Sequence, residues 1–344
     1  MTAARDADAA RAVAGQARLI AALSGGPRHI EGARIDLTDI DETAAELARL
    51  RPDVIVLTAS RLTWWQLPDR VARVPYGAWL PLHVTLTRSL MESRALAGLA
   101  APVVALPYPD AVGPVLAGAG LAPELGAGNV LEMAAKLRTC AAEQNHAPLE
   151  KVDVRLVAHH ATERTAFSAF HALGGEGPLT PPPFLARICV DDDPLPDETA
   201  HAYFTMPYPL PEGRATHLLT AAAAAATVRA LLSPRPLRLH APGPGGRPGG
   251  YPVLISRAGV ELDLPAGVSE PDAIAINAVA ARWDGIERIA PDGTVTFSAD
   301  AAQEIERSLG LRIKQITIDD HAAVADELAA RLQNPSIQIR IRPT

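Results

Sequence analysis

Residues 51–60 read Arg-Pro-Asp-Val-Ile-Val-Leu-Thr-Ala-Ser, and their unbroken apolar run decides the fold class. A strand that is buried on both faces needs such a run, and strands of this kind form parallel sheets covered by helices. A helical pattern over residues 81–99 and a second apolar run over residues 102–106 follow. Strand, helix and strand in this order predict a right-handed crossover unit. The chain is therefore expected to be an α/β protein.

Similar patterns extend on both sides of this unit. We predict helices over residues 6–23 and 41–50, with a short strand at 33–37 between them. After the unit, the patterns predict helices over residues 130–143, 218–232 and 270–280, and strands over residues 152–158, 185–190 and 251–256. Residues 294–309 predict a strand followed by a helix. Near Gly126 the regular succession of buried strands and helices gives way to a mixed pattern with proline-rich breaks. We therefore expect two domains, residues 1–125 with the parallel sheet and residues 126–344 with mixed α+β structure.

Composition narrows the function classes. The chain has 344 residues, 48% of them hydrophobic and 21% charged, and a net charge of −7 with scattered Lys and Arg. This argues against nucleic acid or an anionic membrane as the main partner. Cys140 and Cys189 are the only cysteines, and their spacing predicts neither a disulfide framework nor a metal site. The polar N-terminus and the short alanine-rich run at 218–232 predict a cytoplasmic protein without a spanning helix.

Two adjacent histidines, His159 and His160, end the strand predicted over residues 152–158. Neighbouring residues of a strand point to opposite faces, so we expect the two rings to lie in different environments. One of them would enter a pocket, and the other would stay with solvent or helix packing. Both could also be ordinary polar residues at a strand end, and the pair by itself does not decide between these readings.

Polar residues also follow the two buried strands. Thr58, Ala59 and Ser60 end the first strand, and Pro107 follows the second. Ligands bind at the carboxyl ends of parallel strands, although tight turns without a ligand are an equally good explanation. A helix then opens at Asn129 and carries a carboxylate in its first turn. That carboxylate could balance the helix dipole or could orient a histidine.

Five stretches, in order along the chain, resemble motifs of the lactate/malate dehydrogenase superfamily. They are DVIVLTAS, APVVALPYPDAV, GAGNVLEMAAKLR, VRLVAHHA and YPVLISRAGVELDLP, and the resemblance extends from about Asp6 to about Ala280. It implies a Rossmann-like parallel sheet followed by an α+β substrate domain. It also implies an NAD- or NADP-dependent oxidoreductase that acts on a small 2-hydroxy or 2-oxo acid, and a homodimer or higher homo-oligomer.

The resemblance also assigns roles to residues of this chain. His160 falls on the catalytic acid/base, and Glu132 on the carboxylate that orients it. The residues nearest to the family's substrate-binding positions are Arg61 (with Arg70 as the alternative), Lys136, Arg138 and Thr216. The residues that would line the cofactor are Thr58, Ala59, Ser60, Pro107 and Asn129.

The chain departs from the family at the cofactor cradle. The family begins with a strand, a glycine-rich turn and a helix that bind the pyrophosphate, and this sequence begins after that unit. We therefore expect a sheet that is incomplete at its N-terminus, and a start codon assigned too far downstream, a truncated pseudoenzyme or a completing partner would each explain it. The glycines at 243–250 are broken by prolines and predict a mobile surface loop instead.

Two other functions stay open on the sequence. A non-catalytic pseudoenzyme or assembly protein could retain the dehydrogenase-like fold. A related branch, the NAD- and metal-dependent glycosidases, normally needs a Cys–His pair around a divalent metal, and Cys140 lies too late in its helix to provide it.

Overall fold

The structure is a computed structural model, and it describes residues 1–26, 29–62, 67–68, 71–167, 181–211 and 213–333. The mixed α/β class predicted from the sequence is confirmed, with parallel and antiparallel sheets and many helices. The chain divides into two compact units, residues 1–53 with 88–101 and residues 54–87 with 102–344. The functional division at residues 125/126 stays a prediction.

The first unit contains a βαβ arrangement. Strands β1 (Thr2–Ala4) and β2 (Gly32–Arg34) pair in parallel, and helix α1 (Ala7–Leu23) connects them. Asp6 caps α1 by accepting a hydrogen bond from the backbone N–H of Ala9. Helix α2 (Ile40–Leu50) follows β2.

The second unit contains the parallel sheet that residues 51–60 predict. Its strand order is β3 (Ile55–Leu57), β4 (Val103–Ala105) and β5 (Leu125–Gly126). Helix α3 (Leu80–Leu96) joins β3 to β4, and helix α4 (Pro109–Ala117) joins β4 to β5. The carboxyl ends of the three strands meet at one edge, as in other parallel sheets.

In the described residues between β5 and Ala280, the chain forms two antiparallel sheets and five helices. One sheet consists of β6 (Val152–Val157), β7 (Leu185–Val190) and β8 (Asp193–Pro194), and the other of β9 (Leu237–Pro242), β10 (Gly250–Ser256) and β11 (Gly259–Leu262). The helices are α5 (Val130–Gln144), α6 (Glu163–Ala166), α7 (Asp197–Thr205), α8 (His217–Leu232) and α9 (Glu270–Ala280).

A third antiparallel sheet and two helices follow α9. The strands are β12 (Ile286–Ile289), β13 (Val295–Phe297) and β14 (Gln315–Ile316), and the helices are α10 (Ala299–Leu309) and α11 (His321–Gln333). Their apolar side chains join a buried cluster with the start of α3 and with α4. No helix in the described part of the chain is both long enough and apolar enough to cross a bilayer.

The strong periodic segments of the sequence fold as predicted, with small shifts at their ends. The helices predicted at 6–23, 41–50, 130–143 and 270–280 correspond to α1, α2, α5 and α9, and the strand predicted at 185–190 is β7. Helix α4 was not predicted, because it has nine residues and contains Pro109 and Pro114, which are signals of turns and helix ends in a sequence. Strand β9 was also missed.

The prediction of a surface loop at residues 243–250 holds for the middle of the segment, where Gly245 is exposed, and is wrong for its two ends. Gly243 and Gly249 are buried and have positive φ angles of 64° and 72°. A Cβ atom on Gly243 would lie 2.6 Å from the carbonyl oxygen of Pro109, at the start of α4. The glycines therefore allow the backbone to pack closely against a helix.

Candidate functional site

A cavity of about 520 Å³ opens in the second unit, where β3, β4 and β5 end. The residues that follow these strands form one wall. The rest comes from α5, α8, the segment after β6, the 3-10 turn with Tyr76 and the start of α3. The titratable and polar side chains that line it are Thr58, Ser60, Tyr76, His83, Tyr108, Asn129, Glu132, His160, Glu163, Thr216, His217 and Thr220. The sequence predicted six of these residues as members of a site: Thr58, Ser60, Asn129, Glu132, His160 and Thr216.

His160 is held by a buried aspartate. Its Nδ1 atom lies 2.8 Å from Oδ2 of Asp284, in the 3-10 turn that follows α9. The hydroxyl of Tyr108 donates to the same Oδ2 atom at 2.8 Å. The prediction that Glu132 orients His160 is therefore corrected, because Asp284 makes that hydrogen bond. The other ring nitrogen, Nε2, lies 3.9 Å from Oε2 of Glu163.

Of the two adjacent histidines, His160 lines the cavity and His159 does not, as predicted, although strand alternation is not what separates them. Strand β6 ends at Val157, so the alternation of faces stops before the histidines. Nδ1 of His159 lies 3.6 Å from Oδ2 of Asp284, and its side chain is 1% exposed. The same Nδ1 accepts a hydrogen bond from the backbone N–H of Ala161, which makes His159 a cap of the following turn.

Asp110 fixes the backbone around the histidines. It is fully buried, and its Oδ1 accepts a hydrogen bond from the backbone N–H of His160 at 2.9 Å. Its Oδ2 accepts one from the side-chain amide of Asn129. The residue before α4, Tyr108, has a left-handed backbone with φ of 45°, which is uncommon for an aromatic residue. The ends of β4, β5 and β6 are thereby linked by one carboxylate.

The charges around His160 favour its protonated form. Burial lowers the pKa of His160, but the neighbouring Asp284, Glu163 and Asp110 raise it to about 9. Burial raises the pKa of Asp284, but His160 and the hydrogen bonds from His160 and Tyr108 leave it below its usual value. The two groups therefore form an imidazolium–carboxylate pair at neutral pH.

Two further carboxyls lie in the cavity wall. Burial raises the pKa of Glu132 to about 7, against a hydrogen bond with Thr220 that lowers it. Burial also raises the pKa of Glu163 to about 8, and the neighbouring Glu132 acts in the same direction while His160 opposes it. Both carboxyls thus hold protons far more tightly than exposed glutamates do.

Aromatic and imidazole rings complete the wall near His160. The ring of Tyr76 stacks on His160 with centroids 4.3 Å apart, and the ring of Tyr108 meets the same imidazole edge-on at 5.1 Å. His83 lies behind Tyr76, and its Nδ1 is 2.9 Å from the hydroxyl oxygen of Ser60. Burial and the charge of His160 lower the pKa of His83 to about 4, so its ring stays neutral.

The predicted substrate-binding cations lie elsewhere. Arg61 forms an ion pair with Asp326 of α11. Lys136 donates to the backbone carbonyls of Tyr203 and Phe204. Lys136 lies one helical turn beyond Glu132, about 6 Å farther along α5, and is not among the described residues of the cavity wall.

The third predicted cation, Arg138, donates to the carbonyl of Leu149 from another side of α5. Six residues after Glu132 correspond to about 240° of rotation around a helix, so the two side chains diverge. Arg70 lies outside the described residues. Of the predicted substrate-binding residues that are described, Thr216 is the one found in the cavity wall.

The residues predicted to line a cofactor mostly meet at the cavity. Thr58, Ser60, Pro107 and Asn129 belong to its wall, whereas Ala59 is not among the wall residues that the structure describes. A flat polar ring could lie against these strand ends. The helices at this edge are less suited to a pyrophosphate, because α4 and α5 carry Asp110 and Glu132 in their first turns. The described residues at this edge therefore fit the nicotinamide end of a dinucleotide and do not supply a phosphate cradle.

Several site residues carried no local signal in the sequence. Asp284 follows His160 by 124 positions and lies beyond the stretch that resembles the dehydrogenases. Tyr76 lies in a short 3-10 turn without a periodic pattern. Asp110 was part of a quoted motif, and its position directly after β4 was the one signal that could have identified it.

Comparison with solved structures identifies the class of fold. The malate dehydrogenase of Plasmodium falciparum matches with a TM-score of 0.50 and 13% identity, over 80% of this chain and 84% of that one. The malate dehydrogenase of Aeropyrum pernix matches with a TM-score of 0.49 and 16% identity, over 82% and 88% of the two chains. No protein-family model and no curated protein sequence matches the chain.

The chain thus has a lactate/malate dehydrogenase-like fold, as its sequence motifs predicted. At this level of identity the likeness concerns the fold. Function has to be argued from the cavity and its side chains.

Proposed function

We propose that the chain is an oxidoreductase that interconverts a secondary alcohol and a carbonyl, with His160 as the acid/base and NAD or NADP as the hydride carrier. The observation that carries this proposal is the pair of His160 and Asp284, 2.8 Å apart, in the wall of a cavity at the ends of a parallel sheet. A carboxylate on Nδ1 fixes the imidazole tautomer and leaves Nε2 to exchange a proton with the substrate.

The direction of proton transfer follows from the charge of His160. With a pKa raised to about 9 by Asp284 and other carboxylates against burial, the ring is an imidazolium at neutral pH. During carbonyl reduction, Nε2 of His160 would donate its proton to the forming alkoxide oxygen, and the imidazole ring would become neutral. In alcohol oxidation the neutral ring would take the hydroxyl proton.

A bound nicotinamide would supply or accept the hydride. Thr58, Ser60, Pro107 and Asn129 would lie beside its ring, since they line the cavity at the strand ends. Tyr76 and Tyr108 cover the imidazole on one face and one edge. They would exclude water from the proton-transfer path, which strengthens the interaction between His160 and Asp284.

The other functions considered from the sequence gain no specific support. Cys140, which the glycosidase reading would need near a metal, is buried in α5. Within the described ranges, no group of three or more His, Cys, Asp or Glu side chains is arranged to hold a metal ion. A non-catalytic protein with the same fold remains the alternative that activity measurements have to reject, and the homo-oligomer stays a prediction.

Cofactor binding and turnover test the proposal together. NADH and NADPH are titrated separately into the protein and followed by nicotinamide fluorescence, and the reduction of a panel of small carbonyl compounds is then measured. His160→Ala should lower kcat by about 10²–10⁴-fold, the usual contribution of a positioned acid/base. The exposed His29 provides a matched control, and His29→Ala should leave kcat unchanged. If neither nucleotide binds, or if His160→Ala retains full activity, the proposal is wrong.

A further inference from the structure

We propose that the substrate carries a protonated amine near the reacting carbon, so that it is an amino ketone or amino alcohol and not a 2-oxo or 2-hydroxy acid. This inference rests on the proposed function, because it names the substrate class of the same cavity. It depends on the carboxyl groups of the wall and on the positions of the cations that the sequence predicted to bind a substrate carboxylate.

Glu132 is the first part of the argument. Its side chain belongs to the first turn of α5, is 6% exposed and faces the cavity. The hydroxyl of Thr220 donates one hydrogen bond to this carboxyl group and carries no charge. A buried carboxylate is costly unless a cation or several donors compensate it. A ligand with a positive charge would supply that compensation.

Glu163 places a second carboxyl beside the reacting position. Its Oε2 atom lies 3.9 Å from Nε2 of His160, the atom that would exchange a proton with the substrate. A substrate oxygen bound to Nε2 would therefore lie close to Glu163. An ammonium on the neighbouring carbon would stabilise the ionised form of this carboxyl by an ion pair, whereas a substrate carboxylate there would keep it protonated and gain no ion pair.

The carboxyl groups behind the cavity wall also favour a ligand with a positive charge. Asp110 and Asp284 are buried beside His160 and accept hydrogen bonds from its backbone N–H and its Nδ1, respectively. Four carboxyl groups, those of Glu132 and Glu163 in the wall and those of Asp110 and Asp284 beside His160, therefore lie close to the cavity. The described cations predicted to hold a substrate carboxylate, Arg61, Lys136 and Arg138, have other partners.

Three ligands with one carbon skeleton test this inference by calorimetry. They are 1-amino-2-propanol, 1,2-propanediol and lactate, which differ in an ammonium, a hydroxyl or a carboxylate beside the same carbinol carbon. Each is titrated into the full-length protein, with and without saturating NAD⁺. The amino alcohol should bind most tightly and lactate least. Equal affinities, a ranking headed by lactate or the diol, or no binding by any of the three would overturn the inference.

Charge-removing variants identify the residues responsible. Glu132→Gln and Glu163→Gln should each weaken binding of the amino alcohol by about 10- to 100-fold, the range for a lost hydrogen bond to a charged group. Affinity for the diol should change little. Glu143→Gln makes the same chemical change at an exposed position of α5 and should have no effect. Unchanged affinity for the amino alcohol in both wall variants would refute the assignment.

Turnover separates this inference from the proposed function. Aminoacetone, hydroxyacetone and pyruvate are the matching carbonyl compounds, and their reduction is followed with NADH and NADPH. Preferred binding of the amino alcohol without reduction of any of the three would refute the oxidoreductase and leave the substrate class standing. Reduction of pyruvate in preference to aminoacetone would refute the substrate class and leave the oxidoreductase standing.

Discussion

Asp284→Asn is the substitution that tests the proposed acid/base pair most directly. The amide keeps the shape of the side chain but removes the charge 2.8 Å from Nδ1 of His160. Burial lowers the pKa of His160 and the carboxylates raise it from 6.5 to about 9, with Asp284 as the largest favourable contribution. This difference corresponds to about 3 kcal/mol between the two protonation states. Most of that preference should disappear in the variant, and the pKa should fall to about 7 or below.

The expected kinetic effect depends on pH. Carbonyl reduction needs the imidazolium, so the kcat/KM of the wild type should decrease above about pH 9. With a pKa near 7 the protonated fraction at pH 8 falls from about nine-tenths to about one-tenth, a loss of about tenfold in rate. At pH 6 both proteins are protonated, and any remaining difference measures the loss of ring orientation.

The assay is the pH profile of kcat/KM for reduction between pH 5.5 and 10, together with imidazole NMR of protein labelled with ¹⁵N-histidine. The NMR titration reports the pKa of His160 without relying on turnover. Asp300→Asn, at an exposed position of α10, is the control and should leave both measurements unchanged. A variant that keeps the descending limb near pH 9 would show that Asp284 does not set the charge of His160.

Three other outcomes follow from the packing and the charges. Burial raises the folded-state pKa of Glu132 from 4.5 to about 7, so its contribution to stability is present below pH 4.5 and lost as the pH rises through 7. Glu132→Gln should therefore raise the free energy of unfolding at pH 8 by about 1–3 kcal/mol and have little effect at pH 4.5, as urea denaturation would measure. Gly243→Ala should lower the free energy of unfolding by about 1–3 kcal/mol more than Gly98→Ala does in the same measurement. Both glycines have φ of 64°, but of these two positions only Gly98 has open space for a Cβ. Equal losses would contradict the close contact at Gly243. His159→Ala should lower the free energy of unfolding by about 2–4 kcal/mol because the ring is fully buried, and should retain more kcat than His160→Ala, which steady-state kinetics would check.

The sequence predicted those parts of the fold whose patterns are local. The apolar run of β3 and the periodic helix α5 both appear close to their predicted bounds, because the residues that specify them are neighbours in the chain. The site was predicted only in part. His160 lies in the cavity, but the identity of its partner depended on Asp284, which no local pattern connects with it.

The wrong predictions have a common physical cause. Lys136 and Arg138 were selected because they are the cations nearest in sequence to the family's substrate-binding position, whereas the direction of a side chain on a helix depends on turn and rise. The glycines at 243–250 predicted a loop because composition reports backbone freedom and does not report what packs against it. Gly243 uses that freedom to approach Pro109, which lies 134 positions earlier in the chain.

The segment after α9 completes the candidate site. Asp284 is followed by Gly285, whose φ of 84° turns the chain into β12. A Cβ on Gly285 would lie 2.7 Å from the side chain of Pro75 and 2.8 Å from that of Ala301 in α10. The turn that carries Asp284 is therefore fixed between the segment before α3 and the C-terminal helix α10. A residue that holds a catalytic imidazole must itself be held in place, and the C-terminal sheet and helices provide that support. The sequence motifs that resemble the dehydrogenases end at about Ala280, so the carboxylate of the proposed acid/base pair comes from a part of the chain that these motifs do not cover.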